Sequence, residues 1–295
     1  MPMVRHNRIA QSLKTAASKT RDRCLDVLTE RRGFITDLGH ELPSSYAADI
    51  VASVVTPEFD QFLELLSEIH GERSVDGESM CSLFREAGEE LGWESGITPH
   101  SRRVGLIAKD VAALGPDTGL SETDYYWGGV LHDIGKLFLV GFAETEEAIE
   151  LTREEFMVFF RAHAPMGGLV LDRVVDAVPL GATFAWEHQE NVEGSGYPRG
   201  LNPDEVSIPG RIAQLADVYD AVFTRALWES QRILDRFEEA YTEAGRADDP
   251  TLGIFKQAVE RHHGDWYDVS AERKQERAWF ARDDGWSEKG QHNGT

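Results

Sequence analysis

Four histidines, His100, His132, His163 and His188, recur at near-even spacing along the chain. Asp133 directly follows the second, and Asp217 completes the series. Imidazole is a neutral nitrogen ligand, and an aspartate can bridge two cations through its two oxygens. Histidines combined with carboxylates suit iron, manganese or zinc better than magnesium. A lone histidine on an apolar helix face is ordinarily a hydrogen-bonded core residue. Four of them with two aspartates in one stretch are much harder to explain that way. One ligand-type residue per helix, in successive helices, is what a bundle needs to build a metal site at its centre.

The elements that would position these residues read as helices almost throughout, which makes the fold class all-α. Residues 4–31 are a charged, weakly amphipathic helix with Ile9, Leu13 and Ala16 on one face. ELPSSYAADIVASVV and TPEFDQFLELLSEIH follow as two more, the latter with Pro57 as its first helical residue after Thr56. The polar, glycine-containing stretch 71–79 reads as a turn or linker, and a boundary falls near residue 90. Val104, Ile107, Val111 and Leu114 then define a buried face that also carries His100. In SETDYYWGGVLHDIGK, Ser121 and Asp124 form a capping box, and Gly135 is expected to end the helix as a left-handed cap. LTREEFMVFFRAHAPMGG opens on a second box, Thr152 with Glu155, and places Phe156, Phe160 and His163 on one face. Leu180, Phe184 and His188 keep a four-residue rhythm in PLGATFAWEHQ, and Ile212, Leu215, Tyr219 and Val222 line the helix that carries Asp217. DDPTLGIFKQAVERHH is the last helix. Its His262-His263 pair reads as a solvent-side helix end, and the polar tail beyond residue 268 is expected to end in disorder. There is no alternating strand pattern of useful length and no internal repeat.

Thirty basic residues against 52 acidic ones give a net charge of −22. Such a surface disfavours DNA, RNA and anionic lipid, because neutralising phosphates requires Lys and Arg. It does not exclude a small phosphorylated ligand, since a bound cation reverses the field locally; a salt-adapted host would give the same balance. No apolar run approaches the ~18 residues that span a bilayer, so no membrane insertion is expected. The basic N-terminus lacks the apolar core of a secretory signal. Cys24 and Cys81 are isolated, which makes neither a disulfide framework nor a zinc site and fits a reducing cytoplasm.

The stretches HSRRV, LHDIGK, HAPMG, HQENVEGSGYP and RIAQLADVYDA occur in the order found in the HD-GYP family, a branch of the HD phosphohydrolases. The resemblance runs over about residues 95–265, and DPTLGIF resembles that family's final helix. It implies an HD-type helical bundle over residues 91–268, preceded by an N-terminal helical region, residues 1–90, and followed by a polar tail, residues 269–295. The implied activity is metal-dependent hydrolysis of a phosphodiester in cyclic di-GMP by a hydroxide bridging two divalent ions, iron or manganese, in bacterial second-messenger signalling. Carried over by motif, His100, His132, Asp133 and Asp217 hold one metal, and Asp133, His163 and His188 hold the other. Asp133 bridges the two. Lys136 resembles the lysine that contacts a phosphate oxygen, although a solvated helix-end lysine would look the same. Gly196, Tyr197 and Pro198 form the loop that lies over the metals. There Gly194 and Gly196 permit special backbone geometry, and Tyr197 offers a flat face to a base and a hydroxyl to a phosphate. The alternative is a structural turn with Tyr197 packed inward. Asp220 reads as structural, making a cap or a hydrogen bond. Residues 1–90 occupy the place where the family commonly carries a sensory or dimerising region, so a homodimer or a signalling partner is expected there.

The chain departs from the family pattern at several positions. Gln189 replaces the second histidine of an HHE triplet, so a metal would find only a neutral carbonyl oxygen and a weak ligand. Gly96 stands where three-metal members carry a glutamate, so no third metal is expected. Glu193 replaces an aspartate. Ala226, Leu227 and Trp228 replace an Arg-Pro-Tyr run, leaving Arg225, one position early and rotated by about 100°, as a candidate substrate contact. Two further readings therefore stand beside the enzyme: a catalytically weak module that binds a nucleotide or protein, favoured by Gln189 and Ala226, and a phosphohydrolase of another cyclic dinucleotide.

Overall fold

The apolar stripes read from the sequence become the inner faces of helices. The computed structural model describes residues 2–38, 46–72, 76–90, 99–115, 118–139, 153–174, 176, 178–225 and 227–267. In chain order the helices are α1 (Pro2–Leu38), α2 (Tyr46–Val54), α3 (Pro57–Glu72), α4 (Gly77–Glu90), α5 (Pro99–Leu114), α6 (Glu122–Leu131), α7 (Arg153–Phe160), α8 (His163–Leu171), α9 (Gly181–Glu187), α10 (Ile208–Arg225), α11 (Ser230–Glu243) and α12 (Pro250–Tyr267). Short 3-10 segments cover Ile134–Leu139 and Asp172–Val174. The described residues contain no strand and form an all-α bundle. No described helix is long and apolar enough to cross a membrane.

Two apolar clusters organise these helices. One joins α5, α9, α10, α11 and α12 through Val104, Ile107, Phe184, Leu215, Tyr219, Phe237 and Phe255. The other runs from Leu13, Phe59, Phe62 and Phe84 in the first four helices to Leu131, Ile134, Leu137, Phe138, Phe159 and Met166. Phe138 is fully buried, with Phe59 edge-on to it at 4.7 Å between ring centres. The N-terminal helices therefore pack directly against the segment that follows His132 and Asp133.

Local signals behave as expected at several ends. Ser121 and Asp124 form the reciprocal capping box at the start of α6. Pro57 opens α3, with the Thr56 hydroxyl accepting the Phe59 N–H at 3.3 Å. Two expectations change. The helix carrying the HD pair does not run to a left-handed Gly135: α6 ends at Leu131, and the chain continues as the 3-10 segment, with Gly135 outside the positive-φ glycines. Gly135 is required for another reason, since a Cβ there would overlap the carbonyl oxygen of His163 and come within 2.6 Å of the Gly167 nitrogen. The single helix read through FMVFFRAHAPMGG is two, broken at Arg161 and Ala162, and His163 starts the second. The Thr152 half of the second capping box, Gly96, Ala226 and the tail 269–295 lie outside the described residues.

Candidate metal centre

The six ligand-type residues are delivered by the ends or inner faces of five segments. His100 lies in the first turn of α5, His132 and Asp133 directly follow α6, His163 begins α8, His188 directly follows α9, and Asp217 lies midway along α10. Their side chains converge. Asp133 Oδ1 lies 3.4 Å from His163 Nε2 and 3.5 Å from His188 Nε2. Its Oδ2 lies 3.2 Å from His132 Nε2 and 4.0 Å from His100 Nε2. Asp217 Oδ1 stands 3.0 Å from His100 Nε2 and 3.6 Å from His132 Nε2. Asp133 thus turns one oxygen to each side of the cluster, the disposition a bridging ligand requires. Two triads have ligand atoms within 4.8 Å of one another: His100, His132 and Asp217, and His132, Asp133 and His188.

The other ring nitrogens explain how the imidazoles are aimed. His132 Nδ1 is 2.7 Å from the Gly129 carbonyl, His163 Nδ1 is 2.5 Å from that of Phe160, and His188 Nδ1 is 2.9 Å from that of Phe184. A carbonyl can only accept, so these Nδ1 atoms carry the hydrogen and donate it. His100 Nδ1 faces the Asp220 carboxylate at 2.7 Å in the same sense. All four Nε2 atoms are left pointing inward, the pattern of metal-bound histidines held from behind. His163 Nε2 and His188 Nε2 face each other at only 3.1 Å, and His132 Nε2 and Asp133 Oδ1 are buried without a hydrogen-bond partner. Facing lone pairs and orphaned buried acceptors are costly unless a cation lies among them. The donor set therefore fits divalent metal.

Without a cation, the two carboxylates hold a proton on His132 instead. Burial lowers the His132 pKa, but the charges of and hydrogen bonds to Asp133 and Asp217 outweigh it and push it up to about 10. Burial dominates at His163 and pulls it down to about 3. For Asp133, burial works upward, yet His132 and Lys136 hold the carboxyl well below its usual range; His100 and His132 do the same for Asp217. Lys136 forms an ion pair with Asp133 Oδ2 and lies over the Phe160 ring at 5.2 Å.

The glycine-rich loop lies beside the cluster. The carboxylate of the buried Glu190 accepts the backbone N–H groups of Arg199 at 2.8 Å and Leu201 at 2.9 Å. Tyr197 N–H donates to Gln189 O at 3.1 Å, and the Tyr197-Pro198 bond is cis. Gly194 has φ of +75°, and a Cβ on Gly196 would overlap the Glu190 backbone. The Tyr197 ring stands edge-on to His163 at 6.3 Å. Burial and the charges of Asp133 and Asp217 raise its hydroxyl pKa, so it remains a donor. The Arg161 guanidinium covers one Tyr197 face at 5.2 Å, so that face is not open to a base. Gln189 enters the cluster by donating its amide to Asp217 Oδ2 at 3.4 Å. Arg225 is exposed in the last turn of α10, about 12 Å along the helix from Asp217.

Several residues act from behind the ligands. Asp220 is fully buried and accepts from His100, from Arg103 Nε at 2.6 Å and from the Tyr267 hydroxyl at 2.7 Å. Arg103 and Asp220 each lie three residues beyond a ligand on the same helix, a spacing that marks a shared face. Tyr267, at the far end of α12, has no such local signal. His263 is not a solvent-side residue: its Nδ1 lies 2.9 Å from the Tyr219 hydroxyl, and its ring packs on Phe223 at 4.6 Å.

The HD domain family profile matches residues 94–252, which hold every one of these ligand-type residues. The chain belongs to the HD domain family. The GSGYP loop beside the cluster and the curated relatives place this HD domain in the HD-GYP branch. It is 36% identical over 148 residues to a cyclic di-GMP phosphodiesterase of Thermotoga maritima, covering 49% of this chain and 38% of that one. It is 33% identical over 144 residues to 3'3'-cGAMP-specific phosphodiesterase 3 of Vibrio cholerae, covering 46% and 29%. With the cyclic di-GMP phosphodiesterase response regulator RpfG of Xanthomonas campestris the identity is 28% over 192 residues, covering 63% and 48%. The matches cover less than half the length of each of these relatives. No solved structure matches the chain significantly.

Proposed function

We propose that this HD domain is a metal-dependent phosphodiesterase that hydrolyses a cyclic dinucleotide, cyclic di-GMP in the first place. The observation that carries the reading is the convergence of four imidazole Nε2 atoms on two carboxylates, with His163 and His188 facing each other at 3.1 Å. His100, His132, Asp133 and Asp217 would hold one divalent ion and Asp133, His163 and His188 a second, iron or manganese by donor type. Bound there, such ions would supply charge to neutralise the attacked phosphate and would make water a competent nucleophile at neutral pH. The chain does the rest. Lys136 is placed to donate to a phosphate oxygen as charge develops there, and its ion pair with Asp133 keeps it beside the cluster. The protonated Tyr197 hydroxyl is a second donor, on a loop held by Glu190. Asp220 fixes the ring orientation of His100.

The test is to purify the protein anaerobically, measure iron and manganese per chain, and incubate it with cyclic di-GMP and with 3'3'-cGAMP. Two metals per chain and a linear dinucleotide product are expected, and Asp133→Ala should lose both. Full activity in that variant would remove Asp133 as the bridge, and no cleavage of either nucleotide by the metal-loaded protein would refute the reading. The weaker, binding-only reading is favoured by Gln189, which meets Asp217 through an amide where an imidazole would offer a lone pair. It predicts substoichiometric metal and activity that appears only in Gln189→His.

We further infer that residues 1–90 form an input or dimerising region acting on residues 91–268 through the core around Phe59, Phe62 and Phe138. The reduced cysteines Cys24 and Cys81 fit a cytoplasmic setting.

A further inference from the structure

Arg161 stands in the two-residue break between α7 and α8, two positions before His163. Its guanidinium lies over the Tyr197 ring, which in turn meets the His163 ring. The arginine therefore sits at the rim of the cluster, held flat against the loop by a cation–π contact. Its Nε is buried without a hydrogen-bond partner, and among the described residues no carboxylate pairs with it. Other arginines of the domain are paired: Arg103 with Asp220, Arg199 with Glu187 and Arg211 with Asp249. An arginine at the edge of the cluster with no carboxylate among the described residues to neutralise it is poised for an anion. A guanidinium fork matches a phosphate geometrically, and stacking on Tyr197 restricts it before the ligand arrives.

A cyclic dinucleotide carries two phosphodiesters, and the cluster with Lys136 engages one. We propose that Arg161 binds the other, the phosphodiester that is not being cleaved, and so sets the preference of the site for a two-phosphate ring over a simple diester. This rests on the phosphodiesterase reading above.

The test compares kcat/KM for cyclic di-GMP with that for bis(p-nitrophenyl) phosphate, which has a single phosphodiester, in metal-loaded wild type and in Arg161→Ala, Arg161→Met and Arg161→Lys. The methionine keeps an apolar stem against Tyr197 without the charge. The ratio of the two kcat/KM values should fall about 10- to 100-fold in the alanine and methionine variants, the size of a lost charge-assisted hydrogen bond, mainly through KM for the dinucleotide. Lysine, which keeps the charge but not the planar fork, should restore only part of it. An unchanged ratio, an equal fall for both substrates, or a methionine variant that matches wild type would overturn the assignment. Failure of the phosphodiesterase reading shows separately, as a wild type that neither binds nor cleaves the dinucleotide, and it takes the role of Arg161 with it.

Discussion

Asp220 touches no substrate, yet its replacement should damage both the fold and the metal centre. The carboxylate has no solvent exposure and accepts from His100 Nδ1 at 2.7 Å, Arg103 Nε at 2.6 Å, Arg103 Nη2 at 3.1 Å and Tyr267 Oη at 2.7 Å. Burial works against its ionisation, but the hydrogen bonds and charges of His100 and Arg103 win and hold its pKa below the ordinary value. Removing one partner of a buried ion pair costs about 3–5 kcal/mol. At about 2–4 °C per kcal/mol for a domain of this general size, Asp220→Ala should lower Tm by about 6–20 °C. Asp220→Asn keeps one acceptor and the side-chain shape and should lose roughly half as much. Calorimetric unfolding of EDTA-treated protein reads this cost free of metal. A metal titration then reads the second effect, a loss of roughly 10- to 100-fold in affinity once His100 is no longer held from behind. Asp220→Ala with Tm within about 2 °C of wild type would refute the energetic argument. Lower stability with undiminished metal affinity would refute the positioning of His100.

Three other outcomes follow from the same geometry. Metal-loaded protein should unfold about 5–10 °C above the chelated form when free metal is about 100 times its Kd, because that excess contributes about 2.7 kcal/mol; an unchanged Tm would place the ions outside this buried cluster. Gly135→Ala should cost upwards of about 1–3 kcal/mol, since its Cβ meets backbone atoms of His163 and Gly167 that cannot swing aside, and wild-type Tm and solubility would contradict that packing. Glu190→Gln sets an amide donor against one of two backbone N–H groups, a cost of about 1–3 kcal/mol, and should speed hydrogen exchange at Arg199 and Leu201; unchanged exchange would mean the clamp does not hold the loop.

The apolar rhythm of α5 carried His100 onto the face of Val104 and Ile107, and both are buried with it as the periodicity requires. The capping box at Ser121 was legible because it is local: four consecutive residues contain all its partners. Gly135 was misread for the opposite reason. A glycine near the end of an apolar helix suggests a cap, while its actual constraint is a backbone 28 positions further along the chain. Arg161 looked like part of one continuous helix because Phe156, Phe160 and His163 keep helical spacing, but Pro165 has no N–H to give the Arg161 carbonyl and sits in the first turn of a new helix, so the break that turns the guanidinium onto Tyr197 did have a local signal.

Residue type and order alone determined which atoms could bind metal, because neutral nitrogens and paired carboxylate oxygens are properties of side chains, and order along the chain assigned one such group to each successive helical segment. Direction was left to the tertiary structure. For His132, His163 and His188 the Nδ1 acceptor is local, the carbonyl of Gly129, Phe160 or Phe184, but for His100 it is Asp220, 120 positions away, and what each Nε2 then faces is decided only when the helices pack. The bridging posture of Asp133, the covered face of Tyr197 and the tie from Tyr267 to His100 through Asp220 join residues that no local pattern links. A short-range periodicity can encode a face, but only closure of the core decides what that face meets.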